Sequence, residues 1–175
     1  MSDPAPPDNA TQVARLAAAR RAFAELRPRV VAGDPWALAE DFGTGPEASW
    51  GPREVLAHTA EMLPFWLGQY ERIVDAGRER GNPVPFGRTA GNALRLGILE
   101  HDRALPLREL FDRIDVGIER WERRLSDPAA KPGEDQAVGL HPRDGEVPAT
   151  FVRDHFVVRH LDDHIEQLEQ TLTVG

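Results

Sequence analysis

The chain has no cysteine among its 175 residues. That excludes disulfides, thiolate metal ligands and a cysteine nucleophile together, so any thiol chemistry must use a thiol brought from outside. Lysine is nearly missing too. Lys131 stands alone among 21 basic residues, which leaves 20 arginines, a usage expected of a GC-rich bacterial coding sequence. Acidic residues number 29 and the net charge is −8, so nothing steers the protein toward nucleic acid or an anionic membrane surface. No uncharged apolar run approaches the roughly 20 residues of a membrane span, and "MSDPAPPDNA" lacks the basic and apolar regions of a secretion signal, so a cytoplasmic protein is expected. The length suits one domain, able to bury roughly two-thirds of the surface its unfolded chain exposes.

Period-two alternation is also missing over any useful length, as is any internal repeat. Helical spacing is what the sequence does carry. Residues 1–9, rich in proline and polar side chains, read as a disordered tail ahead of a single domain over 10–175. From about Ala10, Val13, Leu16, Ala17, Phe23, Leu26 and Val30 recur at helical spacing. A glycine- and proline-broken connection follows. Ser49 then precedes a long pattern with Pro52 in its first turn and Glu54 soon after, as at a helix start. This second helix is expected to reach about Ala76, with a kink near Ala60 caused by Pro64. A third long helix is expected within residues 93–127, clearest from Pro106 to Leu125, where Leu107, Leu110, Ile114, Ile118, Trp121 and Leu125 form an i, i+3, i+4 stripe. Pro148 opens the last helix. The pattern predicts an all-α protein, a four-helix bundle of antiparallel or up-down type, with long loops between helices 2 and 3 and between helices 3 and 4. The connections after the first and third helices are long enough for a crossover.

The last helix contains "RHLDDHIEQLEQ". Four residues turn an α-helix through about 40° beyond a full turn, so His160 and His164 point the same way. On a helical wheel they share a face with Phe156 and Val157, the side that should be buried. A lone inward histidine is ordinarily satisfied by a nearby backbone or side-chain partner; two in one apolar place need two partners or one shared cation. His58, beside Val55, Met62, Phe65 and Gln69 on the second helix, also points inward. Three neutral imidazoles from two helices are how a bundle builds a metal site with open coordination positions, suited to zinc, nickel, copper or iron.

Two other metal chemistries do not match. A zinc protease needs glutamate directly after the first histidine, where Leu161 stands. A di-iron carboxylate bundle needs Glu-x-x-His on two helices, whereas "HTAE" at 58–61 runs the other way and occurs once. Glu61 and Asp163 are candidates to accept an imidazole's outer N–H. Arg153 and His141 are candidates for substrate contact, with Arg88, Arg95 and Arg143 able to grip a carboxylate through a bidentate fork. His155 falls nearly opposite His160 on an α-helical wheel, which predicts exposure or a subunit contact. His101 reads as a surface residue. Trp36, Trp50, Trp66 and Trp121 read as packing anchors.

"SWGPREVLAHTAEMLPFW" resembles the second-helix signature of the DinB/bacillithiol-transferase-like superfamily, in which Ser/Thr-Trp opens a helix leading to "VLAH". "HPRDGEVPATFVRDHFVVRHLDDHIEQL" resembles that superfamily's last helix, and the likeness extends over nearly the whole chain. The resemblance implies a DinB-like four-helix bundle, often a homodimer, with a divalent ion such as zinc or nickel held by His58, His160 and His164. It also implies thiol-dependent S-transfer, or isomerisation like that of the related mycothiol-dependent maleylpyruvate isomerases, with a low-molecular-weight bacterial thiol and a small-molecule substrate. The alternative from another class is a non-catalytic metal-binding or dimerisation bundle with a stress-related role. Stoichiometric metal and a chelator-sensitive stability separate a working site from relic histidines.

Overall fold

The computed structural model describes residues 7–40, 42–43, 47–80, 83–128 and 134–174. Among these the chain is mostly helical, with five helices and one small sheet. Helix α1 (Asn9–Ala32) buries Gln12, Leu16, Ala19, Phe23, Leu26 and Val30, a stripe at spacings of three and four. Asp8 caps it by accepting from the Thr11 amide. Asn9 is therefore already helical, and residues 7–9 are tied down; the remainder of the expected disordered tail lies outside the described residues. Helix α2 (Pro52–Arg80) runs through Pro64 and ends four residues beyond the expected limit. Helix α3 (Ala93–Asp102) and helix α4 (Leu107–Ser126) split the expected third helix at residues 103–106, with Pro106 at the cap of α4. All six residues of the α4 stripe are buried.

The last helix (149–174) has three parts: one α turn (Ala149–Phe151), a π-helical stretch (Val152–Arg159) and an α-helical remainder (His160–Val174). Just before it, β2 (Val138–His141) and β3 (Gly145–Pro148) form a hairpin, and β1 (Val84–Pro85) adds to β2 in parallel. The chain is thus mostly helical, as expected, with this small three-stranded sheet added. Strands of two and four residues are too short to display period-two alternation, and Pro148 ends β3 as well as preceding the helix.

The four long helices share one core, α1 and α2 each packing against α4 and the last helix. Pairs across the contacts give their directions. Arg20 meets Asp115 and Arg27 meets Asp112, so α1 and α4 run antiparallel. Gln12 bonds Asp154 and Arg15 pairs with Asp162, so α1 and the last helix run the same way. Trp66 stacks on Phe156 while His58 faces His160, so α2 opposes the last helix. Arg53 bonds the Leu105 carbonyl, Trp121 the Leu63 carbonyl, and Arg124 pairs with Glu71, so α2 and α4 are parallel. Two parallel neighbours need a long return. The crossover is therefore in the connection after α2, which contains β1 and α3; the connections after the first and third helices, though long enough for one, join antiparallel helices.

Among the described residues no helix is long and apolar enough to cross a membrane.

Candidate metal centre and its cavity

His58 sits in the second turn of α2, His160 begins the α-helical part of the last helix, and His164 follows one turn later. The antiparallel contact of these helices brings them together: ring centroids are 5.0 Å apart for His58 and His160, 5.2 Å for His58 and His164, and 4.5 Å for His160 and His164. A fourth group joins them. Glu47, in a single 3-10 turn (Glu47–Ser49) ahead of α2, places a carboxylate oxygen so that one ligand atom from each of the four residues lies within 4.8 Å of the others. They lie close enough to hold a metal ion.

His164 carries the clearest sign of an intended ligand. Gln167 donates its amide N–H groups to the carbonyls of Glu47 and Trp50 (2.9 and 3.2 Å), so its Oε1 must be what faces His164 Nδ1 at 3.1 Å. An oxygen there accepts, so the His164 proton is on Nδ1 and Nε2 carries a lone pair. That Nε2 is buried and has no hydrogen-bond partner. A buried unsatisfied nitrogen is costly, and a cation would satisfy it. His58 Nε2 and His160 Nε2 are 3.2 Å apart. An N–H···N bond fits that distance, and so does the edge of a tetrahedron with metal–nitrogen bonds of about 2.0–2.1 Å. On the far side of His58, Nδ1 faces the Arg95 guanidinium, a pure donor, at a weak 3.4 Å.

The protonation states suit a cation. Burial pushes His58 well below the ordinary imidazole range, and the neighbouring His164 adds to this. Burial likewise lowers His164 to about 4, aided by His160 and opposed by the Gln167 hydrogen bond. Both are therefore neutral at neutral pH, with lone pairs available. Burial pushes the Glu47 carboxyl up, but its hydrogen bond with His160 and the charges of His58, His160 and Arg95 outweigh that and hold it well below the usual range. The Arg95 guanidinium, 2.7 Å from the Glu47 carboxylate, is a permanent charge and so contributes whatever the state of the imidazoles.

The four groups form part of the wall of a cavity of about 870 Å³, within the usual range for small-molecule sites. Met62 and the stacked pair Trp66–Phe156, 4.4 Å between centroids, supply an apolar side; Arg88, Arg95, Arg143 and Arg159 supply cations. His141 is buried and lines it.

Other expectations need correction. Arg153 does not line the cavity: its guanidinium is buried against Asp154, Asn9 and the Pro7 carbonyl, where it anchors the start of the chain. Glu61 serves no imidazole, because it pairs with Arg88, which also lies over the Phe65 ring. Asp163 is exposed and gives His164 only a charge at a distance; the partner of His164 Nδ1 is Gln167. His155 lines the cavity instead of facing away. The π-helical stretch is the reason. With i→i+5 bonding, residues five apart stack nearly above one another, which turns His155 toward the His160 side. Glu47 was missed altogether, since it belongs to no periodic face and meets the histidines only through the fold. Trp50 and Trp121 are buried anchors, while Trp66 is half-buried and serves the cavity.

Comparisons of the chain with protein-family models, with curated proteins and with solved structures find no match.

Proposed function

We propose that the protein is a DinB-like four-helix bundle that binds a divalent ion, zinc or nickel, on His58, His160 and His164. On this reading it is a thiol-dependent S-transferase or isomerase using a low-molecular-weight bacterial thiol, and a homodimer. The observation that carries the reading is the convergence of three imidazoles and the Glu47 carboxylate within 4.8 Å, with a buried, partnerless His164 Nε2, on the wall of a small-molecule-sized cavity. The resemblance of "SWGPREVLAH" and "RHLDDHIEQL" to the superfamily's helices supplies the reaction class. A divalent ion supplies charge that favours thiolate over thiol. Glu47 offsets part of that charge, and Arg143 and Arg159 are placed along the wall to hold an anionic co-substrate. The apolar side formed by Trp66 and Phe156 excludes water from its body.

The test is metal content first. Untagged protein exchanged into zinc or nickel is expected to retain about one ion per chain by elemental analysis, and His160→Ala and His164→Ala to lose it while remaining helical by circular dichroism. At about 100 times its dissociation constant the ion should stabilise the fold by about 2.7 kcal/mol. Retention far below one ion per chain sinks the reading. Loaded protein that consumes no thiol across epoxide, halide and unsaturated-acid electrophiles leaves the non-catalytic metal-binding bundle.

A further inference from the structure

Glu47 stands in the cluster without belonging to the three-histidine set. Of its two carboxylate oxygens, Oε1 accepts a hydrogen bond from Arg95 Nη2 at 2.7 Å, and Oε2 lies 3.5 Å from His160 Nε2. Arg95 is itself nearly closed off from solvent, 7 % exposed, and its other terminal nitrogen donates to the Ala90 carbonyl at 2.9 Å. The guanidinium is thus fixed and takes one oxygen only, which leaves the second to face the histidines. The backbone of Glu47 is fixed as well, because Gln167 donates to its carbonyl while accepting from His164. One side chain therefore supports two of the four groups.

The spacing suits a shared ion better than a shared proton. A tetrahedral site with metal–ligand bonds of about 2.0–2.2 Å has edges of about 3.4 Å. Glu47 Oε2 is 3.5 Å from His160 Nε2, which is 3.2 Å from His58 Nε2, and ligand atoms of all four residues lie within 4.8 Å of one another. A neutral imidazole has one N–H, so a proton on His160 Nε2 serves Glu47 or His58 and not both. Either choice leaves His164 Nε2 without a partner. A single cation meets all four groups at once.

We propose that Glu47 is a fourth ligand of the ion, bound through one carboxylate oxygen while Arg95 retains the other. This rests on the metal reading above and alters its coordination. Three nitrogens and one oxygen from the protein fill the four positions that zinc prefers, so an anionic co-substrate meets the ion only in place of the Glu47 carboxylate.

Cobalt(II) is a suitable probe, because its visible absorption reports the number and type of its ligands, and azide serves as the incoming anion. Full-length wild type, Glu47→Gln and Glu47→Ala are compared, with folding checked by circular dichroism. Losing an outer partner of a ligand weakens a site by about 10–100-fold, so losing a ligand should weaken zinc binding at least about tenfold in a chelator competition. Both substitutions should also change the cobalt bands. Azide should bind cobalt-loaded Glu47→Ala about tenfold more tightly than wild type, where the open position is only fractionally populated. In crystals of zinc-loaded wild type, which require no substitution, a Glu47 oxygen should lie about 2.0–2.2 Å from the ion. A Glu47 carboxylate away from the ion there, zinc affinity within about twofold of wild type in both variants, or equal azide binding would each overturn the proposal. Weakened zinc binding with unchanged cobalt bands would overturn it too, since Glu47 would then act by charge alone. Wild type that retains no ion fails the metal reading and the fourth ligand with it; wild type that loads while both Glu47 variants match it fails this proposal alone.

Discussion

Gln167 decides which nitrogen of His164 is available. Its amide is committed to two backbone carbonyls, those of Glu47 and Trp50, and only its oxygen is left for Nδ1. One side chain thereby sets a tautomer and ties the Glu47 turn to the last helix. Gln167→Leu is expected to weaken zinc binding by about 10–100-fold, the usual effect of losing a partner that orients a ligand. A competitive chelator titration measures this, and an unchanged affinity would mean that Gln167 only braces the loop. Arg95 acts differently: it pairs with Glu47 and the Ala90 carbonyl and leans on His58. It therefore restrains both His58 and Glu47.

Among the elements, α4 is the most regular amphipathic helix, and its approach to α2 depends on one glycine. A Cβ on Gly117 would lie 2.9 Å from both Cβ and Cδ1 of Leu63, which is fully buried. A Cβ attached to backbone cannot swing aside as a flexible tip could. Gly117→Ala gains up to about 1 kcal/mol of helix propensity, yet overpacking a tight core costs about 1–3 kcal/mol. We expect net destabilisation of about 1 kcal/mol, seen as a lower urea midpoint with an unchanged slope; a stabilised variant would show that the two helices separate easily. The surface pairs joining α1 to α4, Arg20 with Asp115 and Arg27 with Asp112, matter less, since exposed pairs contribute roughly 0–1 kcal/mol. The π-helical stretch is the other decisive element. It lets His155, His160 and His164 address one cavity without breaking the helix.

For the whole molecule, the histidine cluster makes stability depend on pH. Above about pH 6.5, His164 is neutral in both folded and unfolded chains and adds nothing. As pH falls from 6.5 to about 4, the unfolded chain takes a proton there that the folded chain refuses, chiefly because of burial. The metal-free fold should therefore lose about 3 kcal/mol from His164 alone across that window, and His58 acts in the same direction. Denaturation midpoints in chelator at pH 7, 6 and 5 are expected to fall steadily, with zinc restoring stability most at the upper end, where protons compete least. A flat profile between pH 7 and 5 would contradict the buried placement of these imidazoles.

The six-residue stripe of α4, the spacing of α1 and the shared face of His160 and His164 were legible from the sequence because helical geometry is local: a residue and the one four places on are neighbours whatever the rest of the chain does. His58 was legible for the same reason, as an inward residue on an apolar face. That a straight α-helical wheel put His155 on the wrong side shows where local reasoning stops, since one stretch of i→i+5 bonding changes the face. Glu47 meets residues more than 100 positions away, Gln167 chooses its partners across the same gap, and Arg153 was claimed by Asn9 and Pro7 before any substrate could reach it. The crossover after α2 and the hairpin that presents His141 belong to this second group. Local spacing determined the helices and the inward histidines; the packing of distant segments decided what each histidine faces, because contacts between distant segments leave no period in the sequence.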